Sequence, residues 1–149
     1  MSTPGSKQEI VRETCLLLVR HFRNLTEVGN DVHGFHTRLF SHMLHPERIF
    51  VYAGQSVNVQ PGMPTHPEHV VPCAKLISEC KRLIKERSRS DDEIAAMLHK
   101  HWKLADITKG EQFKLDRELG LKSDMPPGWT FESGDTFARF TLAGIKLQP

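Results

Sequence analysis

Three stretches of the chain dictate where helices begin. Ser6-Lys7-Gln8-Glu9, Ser90-Asp91-Asp92-Glu93 and Thr108-Lys109-Gly110-Glu111 each set a hydroxyl three residues ahead of a glutamate. In that pairing the two side chains satisfy N–H groups that have no partner at a helix N-terminus. After the first box, Ile10, Leu17, Leu18 and Leu25 recur at helical spacing while Arg12, Glu13, Arg20 and Arg23 can face water, which predicts a helix over 7–27. Gly29-Asn30-Asp31 breaks it, and His36 to Leu44 reads as a shorter helix ended by His45-Pro46. Pro72 suits a first helical turn, so a helix over 72–86 follows, with Cys73, Leu76, Ile77, Cys80, Leu83 and Ile84 as its buried stripe. The second box opens a helix carrying Ile94, Met97, Leu98 and Trp102. The third opens one with Phe113, Leu115 and Leu119 that stops at Gly120, and a last helix lies near 136–143 with Gly144 at its end.

Strand signals are fewer. Ile49 to Tyr52 is β-branched and aromatic, Gly54-Gln55 is a turn, and Ser56 to Val59 alternates polar with apolar, so a hairpin is predicted over 49–60. The expected fold class is α+β and predominantly helical, with one small hairpin followed by a helix and packed among about five helices. At 149 residues, 38% hydrophobic and 26% charged, the chain fits one compact domain over 1–149 with a flexible start at residues 1–5. The longest apolar run, Cys15 to Val19, falls far short of the roughly 20 residues a membrane helix needs. MSTPGSKQE lacks the basic-then-apolar layout of a secretory signal. Three cysteines, an odd count at uneven spacing, make no disulfide framework. Together these predict a cytoplasmic protein with free thiols and no membrane association. A net charge of +2 is too mild to mark a nucleic-acid binder by itself.

Chemistry-bearing side chains concentrate in Thr65-His66-Pro67-Glu68-His69-Val70-Val71-Pro72-Cys73. One reading is a polar loop whose acidic side chain is favoured by the N-terminus of the following helix. A zinc reading would use His66, His69, Cys73 and Cys80, but structural sites hold their ligands in close pairs such as C-x2-C, and this spacing does not. Cys73 and Cys80 stand at core spacing on a helix, where a free cysteine acts as a small hydrophobe.

Short strands, then Glu68-His69-Val70-Val71-Pro72, then a helix that starts on proline: this order resembles the ββα-metal finger of HNH-type nucleases. The likeness extends through Ile107 to Gln112, Leu115-Asp116, Met125-Pro126-Pro127-Gly128-Trp129, Ala138-Arg139 and Ala143-Gly144-Ile145, which are similar to the tail of phage and bacterial HNH-like proteins. It covers about half of the chain. The resemblance implies a metal-dependent nuclease or a nucleic-acid-binding protein derived from one. His69 would be the general base toward water. Glu68, Glu111 and His66 would hold a divalent metal, magnesium or manganese, that stabilises charge on the phosphate oxygens. The middle Asn and closing His of the family are not at their usual distances after His69, and Gln112 stands where a His would be expected.

The basic run from Lys81 to Arg89 follows the motif, so Arg82 and Arg87, with Arg139 from the HNH-like tail, are the expected phosphate contacts; a solvated helix end is the alternative for the run. His42 and His45 could share one helix face, while His99 and His101, two apart, cannot, and the latter pair is expected at the surface. Known serine and cysteine nucleophile signatures, glycine-rich phosphate loops and Rossmann fingerprints are absent. The alternative function is a non-catalytic inhibitor or regulator of phage type that works by binding a protein partner.

Overall fold

The computed structural model describes residues 5–30 and 32–149. The flexible start expected at residues 1–5 therefore lies, apart from Gly5, outside the described residues, as does Asp31.

Each capping box does its work. Ser6 accepts a hydrogen bond from the Glu9 N–H at the start of α1 (Lys7–Glu27), and Ser90 and Thr108 form reciprocal boxes with Glu93 and Glu111 that open α5 (Asp91–His101) and α6 (Lys109–Phe113). Pro72 precedes α4 (Cys73–Glu86). The short helices are α2 (Leu39–Met43), α3 (Glu47–Val51) and α7 (Ala138–Ala143), the last closed by Gly144 at φ 74° in the left-handed region. After α6 the chain makes a π-helical turn over Lys114–Glu118, with the Leu119 N–H donating to the Lys114 carbonyl at 2.9 Å. The α+β class with helix in excess is thus observed.

The hairpin over 49–60 does not form. Ile49 to Val51 belong to α3, and the strand that follows, β1 (Tyr52–Ser56), pairs with strands far away in sequence. The sheet runs β2 (Thr65–His69), β3 (Leu104–Thr108), β1, β4 (Leu147–Gln148), with β1 parallel to β3 and the other neighbours antiparallel. The nine-residue stretch, for which a polar loop was one of the two readings, supplies β2. Strand β3 is central, and its residues alternate between two apolar clusters: Leu104 joins the larger one, while Ala105 and Ile107 join the smaller. Gly54 sits at φ 119° where a Cβ would run into the Gln148 carbonyl, so only glycine lets β4 close on β1.

The larger cluster lies among α1, α4 and α5. On α1 the buried stripe is Val11, Cys15, Leu18, Val19 and Phe22, whereas Ile10 and Leu17, expected inside, are exposed. The run Cys15 to Val19 is apolar nearly all round the helix, so packing against α5 and α4 selects the face and periodicity alone does not. On α4 the expected stripe is buried except for Cys73, which is only half-buried. All three cysteines are free thiols.

The smaller cluster holds Val70, Ala105, Ile107, Leu115, Phe140, Ala143 and Ile145. Beside it Arg139 is fully buried. Its Nη2 donates to Glu68 Oε2 at 2.8 Å and to the His69 carbonyl at 2.5 Å, its Nη1 to the Leu121 carbonyl at 2.8 Å, and its Nε to the Val70 carbonyl at 3.4 Å. Removing one member of a buried ion pair strands the other, at a cost of about 3–5 kcal/mol. Arg139→Met should therefore lower unfolding stability in urea by about that amount, and a loss below about 1 kcal/mol, the scale of an exposed ion pair, would contradict the role given to this side chain.

Candidate functional site: a glutamate, a histidine and a cysteine at the end of strand β2

Successive side chains of a strand point to opposite faces. Glu68 and His69, the adjacent pair expected to act together on a metal and a water, are separated by that rule. Glu68 shares its face with His66, whose Nε2 lies 3.2 Å from Glu68 Oε1, and is neutralised by Arg139. His69 faces the other way, with Pro67, onto a cleft of about 310 Å³.

The peptide between His69 and Cys73 is held at both faces. Val70 is buried in the smaller cluster and Val71 in the larger, the Val70 N–H donates to the Lys103 carbonyl at 2.9 Å, and Arg139 binds the His69 and Val70 carbonyls. Pro72 then admits Cys73 as the first residue of α4, whose N-terminus has no side-chain cap. Glu47, in the first turn of α3, is buried; its Oε2 accepts from the indole Nε1 of Trp102 at 2.8 Å and meets His69 Nε2 at 2.6 Å. His69 thus stands between a carboxylate and a thiol. Burial disfavours charge on its ring, but interaction with the Cys73 sulfur and the Glu47 carboxylate outweighs that cost and pushes its pKa up to about 10. The ring holds its proton at neutral pH.

One wall of the cleft is Arg48, bidentate on Asp106 at 2.5 and 2.6 Å and lying over the Tyr52 ring, with the Tyr52 hydroxyl donating to the same carboxylate at 2.9 Å. This pairing keeps Asp106 ionised below the usual carboxylate range. Ser41, His45, Pro46 and Leu104 contribute the rest.

The other expected site residues are dispersed. Glu111 caps α6 through the Thr108 N–H and accepts from Ser56 Oγ at 2.7 Å and Asn58 Nδ2 at 3.1 Å. Burial raises its pKa, but hydrogen bonds from Thr108, Ser56 and Asn58 prevail and lower it. It does not converge with Glu68 or His66, and among the described residues no three His, Cys, Asp or Glu side chains gather as metal ligands. Arg139 is sealed inside the protein and so out of reach of a phosphate. Arg82 is engaged by Glu79 at 2.8 Å, Glu86 at 3.0 Å and Glu132. Arg87 is exposed in the left-handed cap of α4. His101, expected at the surface, is fully buried between Trp129 and Phe131, bonded to Thr136 Oγ1 at 2.9 Å and the Phe131 carbonyl at 3.0 Å.

The strands of the metal finger should precede its helix in sequence. Here the antiparallel partner of β2 arrives only after α4 and α5, giving the order strand, helix, helix, strand. Sequence reasoning passed over Glu47 and weighed Cys73 as a zinc ligand or a core residue, not as a nucleophile. The spacing His69-x3-Cys73 across a strand end and a helix start was the available signal; nothing local pointed to Glu47. Comparison with protein-family models, curated proteins and solved structures finds no match. Among the described residues no helix is long and apolar enough to cross a membrane.

The raised pKa of His69 has a consequence for stability with a definite sign. The folded value, about 10, lies above the ordinary value of 6.5, so the contribution is complete below the latter and is lost as pH climbs through the former. The stability gap between wild type and His69→Gln should be widest near pH 6 and shrink toward pH 10, measured by urea unfolding across that range. A gap that widened with pH would mean a ring buried in neutral form.

Proposed function

We propose that the protein carries out thiol-based acyl transfer, with Cys73 as nucleophile, His69 as its proton partner and Glu47 as the group that orients the ring. The observation that carries this reading is the placement of one imidazole against both a buried carboxylate, at 2.6 Å, and a half-buried cysteine at a helix N-terminus. A nucleophile beside a base that a third group holds in place is the common arrangement of covalent catalysis. In the step itself the Cys73 proton resides on His69, sulfur attacks a carbonyl carbon, and the carbonyl π electrons move to oxygen. When the tetrahedral adduct collapses, the leaving amine or alkoxide takes the proton from His69 and a thioester remains. Water, giving one proton back to His69, then attacks the thioester carbonyl and releases the acid and the Cys73 thiolate, which restores the starting pair. The N-terminus of α4, where backbone N–H groups lack intrahelical acceptors, is suited to the oxyanion.

Metal-dependent cleavage of nucleic acid through Glu68 and His69 has less support. It needs a neutral ring to accept a proton from water and a carboxylate on the same side, and His69 is held protonated while Glu68 faces Arg139.

The test uses p-nitrophenyl acetate as the acyl donor, with the adduct located by peptide mass spectrometry. Wild type should become acetylated at Cys73 ahead of the buried Cys15 and Cys80. Cys73→Ala should abolish this, His69→Asn should slow it by about a hundredfold or more, and Glu47→Gln should slow it less. The near-ultraviolet circular dichroism of the variants reports on Trp102 packing and identifies any that fail to fold. Equal labelling of folded His69→Asn and wild type would defeat the thiol reading. Plasmid cleavage with Mg²⁺ or Mn²⁺ that survives Cys73→Ala but is lost in Glu68→Ala and His69→Ala would replace it with the nuclease. Inertness in both assays would leave a protein that acts only by binding.

A further inference from the structure

Phe113 was expected in the apolar stripe of α6, yet its ring is 55% exposed. Phe113 and Leu115, two residues apart, cannot share a helix face, and Leu115 is the one taken into the smaller cluster. The chain then enters the π-helical turn, a feature found frequently at functional sites. Around Phe113 lies an open cleft of about 240 Å³ lined by Lys109, Gln112, Asp116 and Arg117. Their positions, at intervals of three and four, form one stripe along α6 and the π turn.

Several arginines of the molecule are tied up in ion pairs, and the cations of this stripe are not among them. Arg23 is bonded to Asp91, Arg48 to Asp106, Arg82 to three glutamates and Arg139 to Glu68. Lys109 and Arg117 have no side-chain hydrogen bond or ion pair among the described residues, although Asp116 lies in the same cleft. A solvent-facing aromatic ring between two unneutralised cations, with an amide and a carboxylate beside it, matches the chemistry of a nucleotide unit. The ring stacks with a base, the cations meet the flanking phosphates, and the amide and carboxylate suit the donors and acceptors on a base edge.

We propose that the face centred on Phe113 binds single-stranded nucleic acid, one base stacking on the ring with Lys109 and Arg117 on the adjoining phosphates. A duplex is a poor occupant, because its base faces are already stacked on one another. The inference is independent of the thiol site, and Cys73→Ala must leave it intact.

Fluorescence anisotropy with a labelled twelve-nucleotide DNA and RNA of mixed sequence, at 50 and 150 mM salt, tests it on the full chain. Saturable binding is expected, tighter than to the same sequence as a duplex. Phe113→Ala should weaken it by about tenfold, within the range for loss of one stacked base, while Phe113→Trp retains it. Because the ring is exposed, neither change should lower the melting temperature, which separates lost binding from lost fold. Lys109→Gln with Arg117→Gln should reduce the slope of log affinity against log salt by about 1.4, the share of two phosphates on a single strand. Absence of saturable binding, equal affinity for duplex, or unchanged affinity in Phe113→Ala would overturn the proposal. Displacement of the strand by an equal concentration of mononucleotide would overturn it in favour of a free-nucleotide site.

Discussion

The guanidinium of Arg139 is the point on which the architecture around the site depends. A cation taken fully out of water is destabilising unless each of its donors finds an acceptor. Here the acceptors come from two separate parts of the chain: the Glu68 carboxylate and the His69 and Val70 carbonyls at the end of β2, and the Leu121 carbonyl after the π turn. One side chain of α7 thereby fastens the connection that carries His69 toward Cys73. Glu68, adjacent to the candidate proton-transfer residue, serves that fastening.

The pair Glu68-His69 shows how neighbours in sequence can have separate counterparts in the fold. Strand geometry sends the two side chains to opposite faces, and each finds a counterpart that lies far away in sequence: Arg139 for one, Glu47 for the other. Both carboxylates are buried or nearly so, and both are compensated. Glu47 differs in that its partner is titratable and opens onto a cleft, whereas the partner of Glu68 is sealed in. A buried carboxylate with a titratable partner at a cleft is the arrangement from which proton transfer is built.

Helices were legible because their start signals are local. Ser90 with Glu93, Thr108 with Glu111, and Pro72 before α4 work within one turn, and the boundaries they predict agree with those observed. Strands were not, because pairing is a property of distant segments. Leu104 to Thr108 has no turn signal of its own and becomes the central strand only through β1 and β2 on either side. Of the strand-like run Ile49 to Tyr52, the residues up to Val51 were instead drawn into α3, which sets Glu47 against His69. The burial of His101 followed from a tail, Trp129 to Phe131, that covers it from 28 residues downstream and beyond. At the candidate site, His69 and Cys73 lie within one short segment and could be seen together. Glu47 and Trp102 reach the same place only through the tertiary fold.

The order β2, β3, β1, β4 leaves β2 at one edge of the sheet and the two-residue β4, lying over β1, at the other, and each edge is blunted in its own way. Strand β2 carries Pro67, which has no N–H to offer a further strand. Strand β1 is covered by only two residues of β4, closing over the bare Cα of Gly54. An uncovered strand edge is a template for other chains, and proteins commonly disarm it with proline or a short covering segment. In this molecule the guard over β1 is so brief that its hold rests on a missing side chain. A methyl group at Gly54 would push β4 away and lay open a row of backbone donors and acceptors, turning this edge of the sheet into a surface on which copies could stack edge to edge.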